Sequence, residues 1–74
     1  MSNTKLDIKK FFINEQEYYS TDNFTLLDVL QYLNFNTSLS VVEYNGYIIT
    51  KKSWKNIIIK DLDQIEIVTI VGGG

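Results

Sequence analysis

The chain contains no cysteine, histidine, arginine, proline or alanine. Without cysteine it can form no disulfide and offers no thiolate nucleophile. Without histidine it also lacks an imidazole base, and the usual zinc ligand sets cannot be assembled. The sequence therefore predicts a scaffold held by a hydrophobic core alone, with no catalytic residues and no metal site.

Positive charge and long apolar runs are also scarce. Nine acidic residues stand against seven lysines, which gives a net charge of −2. Nucleic-acid binding needs a concentrated basic patch, so the composition argues against a nucleic-acid partner and favours an electropositive protein. No stretch approaches the roughly 18 apolar residues of a membrane span, and the start MSNTKLDIKK has no apolar signal-peptide region. We expect no membrane partner.

The length predicts one small domain covering residues 1–74. Within it, residues 1–5 look like a loose N-terminus and residues 72–74 like a flexible glycine tail. A chain of this size buries only about 60% of the surface that its unfolded form exposes, so we expect marginal stability.

Two segments have the alternation of apolar and polar residues that is typical of hairpins. FFINEQEYYS predicts two short strands with a turn near residues 14–16. VVEYNGYIIT places Asn45-Gly46 between β-formers, a strong hairpin signal because both residues tolerate positive φ. With a two-residue loop, the pairs that face each other are Tyr44 with Tyr47 and Val42 with Ile49. Glu43 and Ile48 then point to the opposite face.

One helix is predicted between the two hairpins. Thr25 stands three residues before Asp28, the spacing of a capping box. Four leucine and valine residues follow at i, i+3, i+4 and i+7, which places them on one face of a helix of about two and a half turns. These residues are Leu26, Val29, Leu30 and Leu33. Asn34 is a plausible left-handed cap after the helix.

The C-terminal segment predicts the central strand. Residues 65–71 form a near-continuous apolar run, which is expected of a strand buried largely on both faces. Asp61 and Asp63 before it are interpreted as a solvated turn. To lie centrally beside the N-terminal strand, the last strand must run parallel to it with the helix in the crossover. The predicted fold class is α+β: a ubiquitin-like β-grasp, with a mixed four- to five-stranded sheet packed on one main helix.

Several of these segments together resemble a known family. They are IEIVTIVGGG with the acidic turn KDLDQ before it, TLLDVLQYL, the hairpin VEYNGYII and the pair Ser53-Trp54. The chain is similar over roughly residues 10–74 to the small sulfur carrier protein of bacterial and plastid thiamine biosynthesis. Family members usually carry glycine in the first hairpin and in the acidic turn, where this chain has Glu15 and Leu62. If those turns require positive φ, each residue costs on the order of 1 kcal/mol.

The resemblance implies a carrier and not an enzyme. In that family an ATP-using, E1-like adenylating enzyme activates the C-terminal carboxylate, here that of Gly74. The carboxylate becomes a thiocarboxylate with sulfur from a sulfur donor protein, and thiazole synthase takes the sulfur. The chain has no phosphate-binding glycine loop with a lysine, so no cofactor is expected on the chain itself, and the ATP site is expected in the partner.

The tail and the last strand supply the expected site residues. The three glycines after Val71 span about 10 Å when extended, so Gly72 and Gly73 are expected to thread Gly74 into a partner's active site. For partner docking we expect an apolar patch rimmed by carboxylates. Its members are Val68, Ile70, Val71, Glu66 and Glu43.

Other functions remain open from the sequence. The small subunit of molybdopterin synthase uses the same fold and tail chemistry, although the shorter chain and triple glycine favour thiamine. A ubiquitin-like modifier shares the activation step. A β-grasp interaction module whose tail is never activated belongs to a different class. The expected compartment is a bacterial cytoplasm or a plastid stroma.

Overall fold

The structure, a computed structural model, describes residues 7–70. Within this range the chain forms five strands, one α-helix and one 3₁₀ helix, and the expected loose N-terminus and glycine tail lie outside it. The elements are β1 Lys9–Ile13, β2 Gln16–Ser20, α1 Leu26–Tyr32, β3 Ser40–Tyr44, β4 Tyr47–Ile49, the 3₁₀ helix Lys51–Asn56, and β5 Gln64–Thr69.

Strand β5 lies at the centre of a single sheet with the order β2-β1-β5-β3-β4. It pairs in parallel with β1 through Phe12 opposite Gln64 and Ile13 opposite Ile65. It pairs antiparallel with β3, and both hairpins are antiparallel. The chain therefore has the mixed five-stranded sheet of a ubiquitin-like β-grasp, as the sequence predicts.

Both hairpins close with two-residue turns in the left-handed region. Asn14 and Glu15 have φ values of 50° and 70°, and Asn45 and Gly46 have φ values of 50° and 91°. Positive φ at both positions is typical of a type I′ turn, whose twist matches that of the flanking strands. The register in the second hairpin is the predicted one, with Glu43 opposite Ile48. Glu15 occupies the positive-φ position where the family usually has glycine.

Helix α1 carries the predicted caps at both ends. The Thr25 hydroxyl accepts from the Asp28 amide at 3.1 Å, and the Asp28 carboxylate accepts from the Thr25 amide at 3.0 Å. At the C-terminus Asn34 has φ 62°, and the Phe35 amide donates to the Leu30 carbonyl at 2.9 Å in a Schellman motif. The helix has seven residues, about two turns, and is slightly shorter than predicted.

The core lies between α1 and one face of the sheet. Its fully buried members are Leu26, Leu30, Val42, Ile59 and Ile65, with Trp54 of the 3₁₀ helix beside them. Ile65 and Ile67 of β5 face this core, whereas Val68 is 61% exposed on the other face. The expectation that β5 is buried on both faces is therefore wrong, because one helix covers only one side of the sheet.

The acidic turn differs from its predicted role. Asp61 is exposed, but Asp63 is only 6% exposed, so its interpretation as a solvated turn residue is wrong. Its carboxylate accepts from the Tyr44 hydroxyl, the Asn45 side-chain amide and the Lys60 backbone amide. Burial and this hydrogen bond to Asp63 raise the pKa of the Tyr44 hydroxyl. The turn therefore joins the second hairpin to the start of β5.

Leu62 has the positive φ that the family resemblance implies for this turn. Its φ is 69°, in the left-handed region that non-glycine residues rarely adopt, and its side chain is 59% exposed. Its amide donates to the Lys10 carbonyl at 2.6 Å, and the Asp61 carboxylate accepts from the Lys10 amide at 2.8 Å. The turn is thus fixed against β1 despite the strain.

Candidate functional site

The candidate site is the carboxyl end of β5 and the sheet face around it. Ile70 follows β5 directly, and its amide donates to the Leu39 carbonyl at 2.7 Å. Four of the expected site residues come after it and lie outside the described residues. They are Val71, Gly72, Gly73 and Gly74. The structure therefore defines the point from which the tail starts, at Ile70 directly after the middle strand of the sheet.

On the β1 side of β5, the last group that hydrogen-bonds the strand is a side chain, that of Asn14. The Asn14 amide donates to the Ile65 carbonyl at 2.9 Å, after which the chain turns away into β2. The Asn14 carboxamide then reaches two residues further. Its Oδ1 accepts from the Ile67 amide at 2.7 Å, and its Nδ2 donates to the Ile67 carbonyl at 3.2 Å. Both backbone polar groups of Ile67 are thereby satisfied by one side chain.

The start of β5 is held in a similar way on the β3 side. The Asn45 amide donates to the Gln64 carbonyl, and the Asn45 Oδ1 accepts from the Gln64 amide, both at 2.8 Å. The same carboxamide donates to Asp63 at 3.1 Å. The sequence identifies Asn45 as a turn residue, but these side-chain contacts depend on the spatial position of β5 and have no local sequence signal.

The predicted docking residues within the described range lie on one face of the sheet. Glu43 of β3 is directly opposite Glu66 of β5, and both are half-buried. Val68 and Ile70 are 61% and 52% exposed, and alternation places them on the same face as Glu66. We call these four residues the outer patch. The structure thus brings together the docking residues that the sequence analysis names, except for Val71.

Apolar neighbours extend the outer patch across β3 and β4. Val68 is paired with Val41, and Glu43 is paired with Ile48, which is 73% exposed. Two carboxylates therefore lie side by side within an apolar surface that the helix does not cover. Such a surface suits an apolar partner surface that carries a basic group.

Within residues 7–70 no three carboxylates come close enough together to hold a metal ion. No helix in that range has the length and apolar character needed to cross a membrane.

The fold defines the class of the molecule as a ubiquitin-like β-grasp protein. It is similar to the crystal structure of a thiamine biosynthesis protein (ThiS) from Geobacter metallireducens, with a TM-score of 0.75. That match covers 88% of this chain and 99% of the other chain, at 20% sequence identity. Identity this low supports the shared fold alone.

Sequence comparison gives the family. The sequence profile of the ThiS family matches residues 7–74, and this chain belongs to the ThiS family. Membership supports a role as a sulfur carrier.

The chain is also similar to algal proteins named ycf40. It is 59% identical to that of Trieres chinensis over 66 residues, which is 89% of this chain and 90% of the relative. It is 34% identical to that of Porphyra purpurea and 32% identical to that of Pyropia yezoensis, each over 84% of this chain and 87% of the relative.

Proposed function

We propose that this chain carries sulfur for the thiazole half of thiamine, with the carboxylate of Gly74 as the working group. The observation that carries the proposal is the family match, which extends over the glycine tail to residue 74. The chain also shares its fold with a thiamine biosynthesis protein, at a TM-score of 0.75. The proposed reaction has two steps, and partner enzymes catalyse both.

The first step activates an unreactive acid. A carboxylate oxygen of Gly74 attacks the α-phosphorus of ATP in the E1-like adenylating enzyme, and pyrophosphate leaves. In the second step hydrosulfide (HS⁻), supplied by the sulfur donor protein, attacks the acyl carbon, the bond to AMP breaks, and AMP leaves as the thiocarboxylate forms. Thiazole synthase then accepts the sulfur. ATP belongs to the activating partner, and the chain acts as a co-substrate and not as an enzyme.

The role of this chain is to deliver the carboxylate of Gly74 to the active site of the partner enzyme. Four residues from Ile70 to Gly74 span at most about 13 to 14 Å when fully extended. The three glycines have no Cβ atoms, so this segment is slim enough for a narrow channel. Because β5 is paired on both sides as far as Ile67, the tail starts from a fixed direction. Gly72 and Gly73 are proposed to thread the channel.

The outer patch is the proposed docking surface. Val68 and Ile70 are exposed apolar anchors beside the tail, and Glu43 with Glu66 would orient a basic group of the activating enzyme. The plastid stroma is the proposed compartment, because the ycf40 relatives are algal proteins.

The test uses the full chain with ATP, a cognate activating enzyme and a sulfur donor. Intact mass spectrometry is expected to show exchange of one oxygen for sulfur at Gly74. The purified thiocarboxylate is then offered separately to thiazole synthase and to the large subunit of molybdopterin synthase. Sulfur transfer to thiazole synthase alone supports the proposal. Transfer to the molybdopterin enzyme alone, or no exchange under conditions that modify a control carrier, overturns it.

A further inference from the structure

Both hairpins hold β5 with the same device. Asn14 and Asn45 each occupy the first position of a two-residue turn, and each has φ 50°. Each donates its backbone amide to a β5 carbonyl and uses its carboxamide to bond a β5 amide. The two asparagines therefore form a natural pair for comparison, with one difference: Nδ2 of Asn45 donates to Asp63, whereas Nδ2 of Asn14 donates to the Ile67 carbonyl.

The two contacts differ in where they act. Asn45 bonds Gln64, the first residue of β5, which is far from the tail. Asn14 bonds Ile67, two residues beyond the last β1 partner, which is Ile13 opposite Ile65. The Asn14 carboxamide thus makes the hydrogen bonds that a further residue of β1 would make. The backbone cannot make them, because the chain has already turned toward β2.

The Asn14 carboxamide determines how many residues of β5 are hydrogen-bonded on both edges of the strand. With the Asn14 side chain in place, β5 is bonded on its β1 side as far as Ile67. Without it, the last bonded residue on that side would be Ile65. Pairing with β3 continues to Thr69 and the Ile70 amide on the other side. The segment held from one side only would therefore grow by two residues.

A strand held from one edge has more freedom to bend than one held from both. The residues concerned, 66–70, come immediately before the tail and include three members of the outer patch. A change of strand direction at Ile67 displaces Ile70, the point from which the tail starts, relative to a partner that holds the outer patch. Since an error near 1 Å at the reacting carbon can cost about a hundredfold in rate, this end of β5 has a direct effect on delivery.

We propose that Asn14 is a positioning residue for sulfur transfer: its carboxamide extends the sheet at Ile67 and fixes the direction in which the tail leaves β5. This inference rests on the proposed function. Within residues 7–70 the Asn14 carboxamide bonds the Ile67 backbone and no outer patch side chain, so it acts through the β5 backbone. No local feature of its hairpin turn requires the carboxamide, because glycine also adopts φ 50°.

The experiment compares Asn14→Gly with Asn45→Gly in the full chain. Both variants keep the positive-φ turn and lose a carboxamide bonded to β5, so the unfolding free energy is measured for each by urea titration. Amide exchange and backbone relaxation by NMR report on Ile67 to Ile70 in the free protein. The rate of thiocarboxylate formation is measured against the concentration of the activating enzyme, which separates docking from delivery.

For Asn14→Gly we expect faster amide exchange at Ile67 and greater mobility at Val68 to Ile70. We also expect at least a roughly tenfold lower maximal rate, and a smaller rise in the half-saturation concentration, because Val68 and Ile70 remain on the docking surface but are less well fixed. Asn45→Gly is expected to keep the wild-type rate and mobility in this region. Equal rate losses in the two variants, or no loss in Asn14→Gly, overturn the proposal.

The NMR comparison needs no partner, so it separates two kinds of failure. If the wild-type chain is never thiocarboxylated, the proposed function fails, and the mobility of Val68 to Ile70 still decides the role of Asn14. Unchanged mobility in Asn14→Gly overturns that role, whereas increased mobility in that variant alone supports it.

Discussion

Glu43 and Glu66 lie directly opposite each other on strands β3 and β5. The flanking bonds, Asn45 to Gln64 and Ile70 to Leu39, place this pair at a hydrogen-bonded position of the ladder, where Cα atoms are about 5.5 Å apart. Like charges at directly opposed positions are destabilising. We therefore expect the pair to lower the stability of the free chain, and we propose that it serves docking.

Removing one of these charges is expected to stabilise the protein. Glu66→Gln should raise the unfolding free energy by about 0.2 to 1 kcal/mol at low salt, since it relieves the repulsion from Glu43. This gain in unfolding free energy should be smaller at high salt, because salt already screens the repulsion between Glu43 and Glu66 in the wild-type chain. Urea unfolding at two ionic strengths measures both effects. Glu17→Gln is the matched control, because Glu17 lies opposite Phe12 and not opposite a carboxylate. A loss of stability in Glu66→Gln would contradict this account.

The apolar members of the outer patch are expected to act in binding and not in folding. Replacing Val68 and Ile70 together by serine should raise the dissociation constant for the activating enzyme about tenfold, or 1.4 kcal/mol. Both side chains are more than half exposed, so the unfolding free energy should change by less than about 1 kcal/mol in total. Titration calorimetry measures the affinity. Tyr47→Ser is the control, because Tyr47 is 75% exposed on the opposite face. Equal changes in the dissociation constant for the control and the double variant would show that the outer patch is not the docking surface.

Glycine at the strained turn position is expected to stabilise the fold. Glu15 has φ 70°, so Glu15→Gly should raise the unfolding free energy by about 0.5 to 1 kcal/mol. For a domain of this size that corresponds to a rise in Tm of about 2 to 8 °C, to be measured by thermal unfolding. Glu17→Gly, in the regular part of β2, should instead destabilise by a similar amount. A lower Tm for Glu15→Gly would show that strain at this turn is negligible.

Tyr44 is expected to make the stability fall at alkaline pH. Burial and the bond to Asp63 raise the pKa of its hydroxyl above the ordinary value of 10.0. The stability contributed by protonated Tyr44 is therefore complete below about pH 10 and declines as the pH rises above it, because only the unfolded chain then ionises readily. The difference in unfolding free energy between wild type and Tyr44→Phe should be constant below pH 10 and fall above it. A difference that stays constant at alkaline pH would mean that the folded state does not raise this pKa.

Much of the fold could be predicted because its signals are local. The Thr25 to Asp28 spacing, the left-handed Asn34 and the Asn45-Gly46 turn each depend on a few neighbouring residues, and all three are confirmed. The parallel pairing of β1 with β5 followed from where the most apolar strand had to lie. The face that carries Glu66 and Val68 followed from alternation alone.

The remaining features arise from contacts between residues distant in the sequence. Asp63 is buried because the second hairpin covers it. This hairpin also supplies the Tyr44 and Asn45 donors, which are 19 and 18 residues away in the sequence. The bond between Asn14 and Ile67 joins residues 53 apart. Neither contact has a signal in periodicity or in a short motif. The chemical role of Gly74 also depends on partners and stays a prediction.

The central claim is that a free main-chain carboxylate at Gly74 receives the sulfur. The most direct measurement compares the chain carrying a free acid at Gly74 with the same chain ending in an amide there. Each is incubated with ATP, the activating enzyme and the sulfur donor, and mass spectrometry of the C-terminal peptide locates any sulfur. We expect sulfur on Gly74 in the free acid and none in the amide. Sulfur incorporation elsewhere in the chain, or equal incorporation in both forms, would contradict the claim.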